Sequence, residues 1–223
     1  MTSIIIAVDG PAASGKGTLA RRLARHFHFA HLDSGALYRL TALAVLEAGG
    51  NPAIEADAID GARSIDLSRA GDPAIRTDLV GLAASKVSAI PAVRAALHDF
   101  QTGFLAHPPG EGPGAVMDGR DIGTVIAPHA TAKLFIDAAP EVRARRRWLE
   151  LKGMGIEKDQ DTLLKEILAR DHADRTRAIS PLVQAPDADL LDTSNLDIDA
   201  AFAAALALVE PKVSGALKDR HRG

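Results

Sequence analysis

Lys16 stands in a run of small residues, Gly10-Pro11-Ala12-Ala13-Ser14-Gly15-Lys16-Gly17-Thr18, that matches G-x-x-x-x-G-K. Small residues leave backbone N–H groups uncovered, a following helix adds partial positive charge at its N-terminus, and a lysine at this point reaches the outer phosphates of a nucleoside triphosphate. A strict P-loop has Ser or Thr directly after the lysine. Here Gly17 intervenes, and the hydroxyl comes at Thr18. The bland alternative is a glycine-rich turn that merely links a strand to a helix.

Four further constellations carry charge suited to anions. In LDSGALYR, Ser34 and Arg39 together suit a second anion facing the first; a capped amphipathic helix with a chance arginine would look the same. In DGRDIGT, Arg120 stands between Asp118 and Asp121. The acids could simply neutralise it, or they could hold it rigidly as a fork over a cleft. Arg143, Arg145, Arg146 and Arg147 crowd one segment, and 143, 146 and 147 share a helical face. A solvated face is the usual reading of such a run. The next segment favours the other reading, because Arg170, Asp174 and Arg177 recur at i, i+4 and i+7, and residues 143–177 hold ten of the chain's 26 Lys and Arg. Gly153 and Gly155 between these segments suggest a hinged lid, about residues 148–162.

Two anion sites with arginines on a mobile segment suit phosphoryl transfer between two phosphate-bearing ligands, which needs positioning and charge stabilisation more than covalent chemistry. A phosphate acceptor is already ionised near neutral pH, so no general base is required. Two rival readings remain. An alcohol acceptor would call for a base, with Asp33 or Asp118 as candidates. A nucleotide-dependent regulatory switch would turn over triphosphate without an acceptor.

The elements that must position these residues follow from periodicity. Ile4–Val8 reads as a buried parallel strand, and Leu19, Leu23 and Phe27 mark one face of the helix after the loop. Further strands are expected at 29–33, 115–119, 132–138 and 189–193. Ser34 is expected to cap a helix ending at Gly49-Gly50, and Asp161 another, while Pro140 opens the Arg-rich helix. Residues 51–80 read as an irregular excursion, 79–105 as helical with a break near Pro91, and 107–114 as a surface loop. The last helix is expected to end near Pro211, leaving KDRHRG as a frayed tail. The whole is an α/β chain, a five-stranded parallel sheet flanked by helices, and one domain over 1–223 with core 1–50 and 81–223.

Bulk composition agrees. The chain has 223 residues, 47% hydrophobic and 25% charged, with net charge −3 and no cysteine. Disulfides and thiolate metal sites are excluded, and nothing suggests bulk attraction to nucleic acid or membrane. No apolar stretch is expected to span a bilayer, so a soluble, cytoplasmic monomer is the expectation.

Four blocks, VDGPAASGKGT, LDSGALYR, DGRDIGT with KLFIDAAPEVRARRR, and ILARDHADRTRAISPL, together resemble the bacterial cytidylate kinases of the nucleoside monophosphate kinase group. The displaced hydroxyl at Thr18 is normal for that group. The resemblance implies the P-loop NTPase fold, ATP with Mg²⁺ as donor, and CMP or dCMP as acceptor. It implies that Ser34, Arg39, Arg120 and Arg177 hold the acceptor phosphate, and that Ser85, Arg94 and Asp121 read the cytosine edge. Arg170 and Asp174 would contact the sugar, with Tyr38 packed beside the acceptor. Lys16, Arg143, Arg146 and Arg147 would neutralise the transferring phosphoryl group. No side chain is singled out as a direct metal ligand. The chain departs from the group in one respect: where its members carry a longer insert with a small antiparallel sheet, only residues 51–80 are present, with no alternating strand pair.

Overall fold

The computed structural model describes residues 3–220. Five parallel strands, β1 (Ile4–Asp9), β2 (Ala30–Asp33), β3 (Gly114–Gly119), β4 (Ala132–Asp137) and β5 (Asp189–Asp192), lie in the order β2-β3-β1-β4-β5. β1 is central, with β3 on one side and β4 on the other. Its Ile4, Ile6 and Val8 face one layer, where helices α1 (Lys16–Phe27) and α8 (Ile198–Arg220) pack through Leu19, Leu23, Ala205 and Val209. Ala7 faces the opposite layer with Met117, Ile122 and Leu105. Both faces being covered explains why β1 reads as a continuous apolar run. At its end, Gly10 lies so close to β4 that a Cβ would stand 2.0 Å from the Ile136 carbonyl oxygen, so the chain can turn there only without a side chain.

The remaining helices are α2 (Ser34–Glu47), α3 (Glu55–Arg63), α4 (Asp78–Val87), α5 (Pro91–Ala106), α6 (Pro140–Gly153) and α7 (Gln160–Thr176). Residues 51–80 contain α3, two short 3₁₀ turns and the start of α4, with no strand, and pack against α2 in a second apolar cluster with Leu37, Leu40, Ile75 and Val80. α6 and α7 form an antiparallel-looking pair sealed by Ala144, Leu151, Leu163 and Ile167.

Four sequence expectations are corrected. Asp33, not Ser34, caps α2 by accepting from the Ala36 N–H, and Asp159, not Asp161, caps α7 by accepting from Thr162. In each case a carboxylate slightly earlier in the chain reaches the free amides first. α8 does not stop at Pro211 but runs to Arg220, because buried Val213 continues the i, i+4 stripe of Ala201, Ala205 and Val209. The predicted frayed tail is therefore helical through Lys218–Arg220, while His221–Gly223 lie outside the described residues. Finally, α8 is long and apolar enough (mean hydropathy 1.4) to cross a bilayer on those criteria alone; its buried stripe is spent instead on the central sheet.

Candidate active site

The carboxyl ends of the strands open into a cleft of about 1040 Å³. Ala12, Ala13, Ser14, Gly15, Lys16, Gly17 and Thr18 line one side, with Gly10 and Pro11 buried behind them. Ala13 and Gly15 take left-handed conformations, φ 59° and 91°, which wrap the loop before α1 starts. The loop's carbonyls are tied from outside. Arg143 donates to the Ala12 oxygen, Arg146 and the Thr193 hydroxyl donate to the Ser14 oxygen, and Lys16 Nζ lies 3.5 Å from the Pro11 oxygen. Carbonyls drawn outward leave the loop's amides toward the cleft, the arrangement that binds phosphate oxygens. The Ser14 hydroxyl is buried there without a partner.

Lys16 feels this setting directly. Burial lowers its pKa to about 8 and Arg120 adds to the effect, while Asp118 and Asp33 oppose it. In the sequence both acids are candidate bases for an alcohol, and Asp118 also a neighbour that could hold Arg120. In the fold they are register partners at the ends of β2 and β3, and both line the cleft. Asp9, which the sequence reading passed over, is also buried. Its two oxygens accept from the Ile122 and Gly123 amides at 2.8 and 2.7 Å, so the end of β1 holds the DGRDIGT loop in place. Burial raises its pKa to about 6 even against those two donors.

The opposite side gathers all of the predicted acceptor residues: Ser34, Tyr38, Arg39, Ser85, Arg94, Arg120, Asp121, Arg170, Asp174 and Arg177 line the cleft. Ser34 spends its hydroxyl on the Asp118 carbonyl at 2.8 Å. Arg39 lies across Gly81 of α4 and donates to the Ile75 carbonyl. Arg94 and Asp121 form a buried ion pair, with Arg94 stacked over the Tyr38 ring at 5.4 Å and Arg177 within 3.8 Å of Asp121. Arg120 is held not by its sequence neighbours Asp118 and Asp121 but by Asp174, at 2.9 Å. Burial works against the Asp174 carboxylate, yet Arg120 and Arg170 outweigh it and keep its pKa below the usual range. Arg177 is the residue that ends α7, outside the helical run the spacing suggested.

Arg146 and Arg147 line the cleft, whereas Arg145 points to solvent. Arg143 is a correction. It is 2% exposed and absent from the cleft wall, with its guanidinium committed to both oxygens of Asp171 and to the Ala138 and Ala12 carbonyls. The i, i+3, i+4 spacing correctly puts it on the inward face, but the lower end of that face meets α7 rather than the cleft.

Burial, and Arg120 next, lower the Arg170 pKa to about 10. Arg170 Nε is buried with no hydrogen-bond partner, and Arg177 Nη2 has none beyond its 3.8 Å ion pair with Asp121. Such groups are costly unless an anion arrives.

A family model described as Cytidylate kinase matches residues 6–211. A cytidylate kinase of Nitrobacter winogradskyi is 56% identical over 207 residues, covering 93% of this chain and 96% of that protein. Another, of Rhodopseudomonas palustris strain TIE-1, is 54% identical over 212 residues, covering 95% and 98%. Among solved structures, an uncharacterized protein from Eubacterium ventriosum matches with TM-score 0.56 at 16% identity, over 94% of this chain and 99% of that one, a likeness of fold alone.

Proposed function

The chain belongs to the cytidylate kinase family, and from that premise we propose how its cleft divides the reaction. The enzyme transfers the γ-phosphoryl group of ATP to CMP or dCMP, giving ADP and the corresponding diphosphate. On this reading the Gly10–Thr18 loop holds the donor phosphates, and Ser34, Arg39, Arg120 and Arg177 hold the acceptor phosphate. Lys16, Arg146 and Arg147 offset the charge of the group in flight, and Arg143, bonded to the Ala12 carbonyl, braces the loop from behind without meeting that group. Ser85, Arg94 and Asp121 read the cytosine edge beside Tyr38, and Arg170 with Asp174 meets the sugar. A fixed, buried Arg94–Asp121 pair suits base discrimination, because a wrong edge would leave its groups unmatched.

The observation that carries the assignment is the convergence of Lys16, Arg39, Arg120, Arg147, Arg170 and Arg177 in one cleft of an acidic chain. An uncharged alcohol acceptor would leave half of these cations without a counter-ion. A phosphate nucleophile needs no base, so the work of the protein is alignment and charge stabilisation.

The donor set at the strand ends fits a divalent cation of the Mg²⁺ type. Asp33 and Asp118 are side by side, and among the described residues no cluster of three or more His, Asp or Glu side chains forms a dedicated cage. Mg²⁺ keeps several waters and takes one or two carboxylates together with substrate phosphates. Asp118 and Asp33 would hold it, and it would supply charge neutralisation between the phosphates. Residues 148–162 act as a lid over a single domain, 51–80 as the short acceptor-side arm, and the enzyme works as a cytoplasmic monomer. Asp78 at the start of α4 supports the lid reading, since it already meets Lys158 of the lid at 2.8 Å and Arg147, just before it on α6, at 3.0 Å.

The test is a coupled ADP-release assay with Mg-ATP and CMP, dCMP, UMP, AMP or GMP. Turnover with CMP and dCMP well above AMP and GMP is expected. Preference for a purine would overturn the roles of Ser85, Arg94 and Asp121. ATP turnover that needs no acceptor would overturn the kinase reading itself.

A further inference from the structure

We propose that His31 is a positioning residue for phosphoryl transfer, fixing the Asp118 carboxylate so that one oxygen stays aimed at the phosphate loop. This rests on the reading of Asp118 as a donor-side, metal-facing acid.

The geometry begins with strand register. His31 on β2 pairs with Val116, and Asp33 pairs with Asp118, so His31 and Asp118 are diagonal neighbours on one face of the sheet. His31 Nε2 donates to Asp118 Oδ1 at 2.9 Å. The other oxygen, Oδ2, points at α1; a Cβ built on Gly17 would stand 3.4 Å from it. The acid is 3% exposed, so its orientation is set by these neighbours and not by bulk water. A neutral ring carrying its proton on Nε2 is enough to make the bond.

Asp118 lines the cleft together with Lys16. Its charge acts on that ammonium, and a carboxylate that rotated toward it would cancel the charge meant for phosphate. The bond from His31 holds one oxygen back. Outer hydrogen bonds of this kind orient ligand groups in metal and phosphate sites, and their loss has measurable consequences for binding. His31 approaches from outside the cleft. Its ring lines a surface depression with Arg21, Arg25, His28 and Phe29, so it can act on the site without meeting substrate.

The measurement is calorimetric binding of ADP, with and without Mg²⁺, to the full-length wild type, His31→Leu, His31→Gln and Asp118→Asn, alongside thermal unfolding. His31→Leu should lose about tenfold in affinity for ADP with Mg²⁺ while staying within about twofold without it, and His31→Gln, which can still donate, should recover most of the loss. The inference is overturned if His31→Leu binds Mg-ADP as the wild type does. It is also overturned if affinity falls equally with and without metal, or if glutamine does no better than leucine, since those outcomes mark a structural role. Asp118→Asn separates the premise from the inference. If it keeps the full magnesium-dependent gain, the placement of the metal beside Asp118 fails and His31 with it. If it loses that gain and His31→Leu does not, the premise stands and only the inference falls.

Discussion

At the scale of single residues, Lys16 shows how the fold sets a charge for its task. Its folded pKa, about 8, lies below the ordinary 10.5 because of burial and then Arg120. Between those two values the unfolded chain holds a proton that the folded chain has released. For this group alone, free-enzyme stability therefore rises with pH across that window, while the cation needed by phosphate is lost. The expected result is a kcat/KM for ATP that falls about tenfold per pH unit above pH 8, read from a pH–rate profile of the kind that reports free-enzyme groups. Lys16→Ala should cost on the order of 10²–10³ in kcat with little change in thermal unfolding, since its ammonium makes a long hydrogen bond, 3.5 Å, to the Pro11 oxygen of the loop it serves. A flat profile, or near-normal turnover in the variant, would remove Lys16 from the reaction. The same scale shows where sequence reasoning stops. Lys16 is legible because its loop spacing is a local signal. Arg143 is not, because its neighbour Asp171 lies 28 positions away and only the packing of α6 on α7 decides that they pair.

At the scale of elements, all five strands and every helix but α3 were legible in outline, since each buried strand is a short apolar run and most helices repeat an apolar stripe; α3 (Glu55–Arg63) lies in the stretch read as irregular. What escaped notice was decided by competition between near-equal local options. Ser34 and Asp33 can both cap α2, and the hydroxyl is drawn off by the Asp118 carbonyl. Pro211 breaks a helix only when no tertiary contact outweighs it, and Val213 on the core outweighs it here. Between elements, the contact of α4 with the lid arm is a further case that no local pattern shows. Asp78 bonds Arg147 and Lys158, and Lys158 also reaches Glu166 on α7. These groups are partly exposed, so the pairs contribute about 0–1 kcal/mol each. Asp78→Ala should therefore leave the unfolding temperature almost unchanged while raising amide exchange across residues 153–160 by up to about fivefold, as the arm opens more often. Unchanged exchange there would show that α4 does not restrain the lid.

At the scale of the whole molecule, the governing fact is a cationic cleft in a chain of net charge −3. Arg39, Arg120, Arg147 and Arg170 disfavour one another's charge, and this adds to burial, the larger cause, in bringing Arg170 to about 10. The free enzyme thus holds cations whose repulsion its own acids, Asp174 beside Arg120 and Asp78 beside Arg147, offset only in part, and anionic substrates relieve the rest. Proteins commonly carry such a conflict between stability and activity at their working sites. Arg170 is the sharpest instance, because its Nε is buried without an acceptor. Replacing it with methionine removes a charge that burial and the neighbouring arginines disfavour more than Asp174 favours, and keeps much of the stem's packing. Arg170→Met should therefore raise the unfolding temperature of the ligand-free enzyme by about 2–4 °C for each kcal/mol gained. The same substitution should shrink the stabilisation produced by adding CMP and ATP, and lower kcat/KM for CMP. Thermal unfolding with and without nucleotides checks both halves at once. If Arg170→Met were less stable when free, the cluster would be held by fixed partners within the protein, and the cleft would not be waiting for anions.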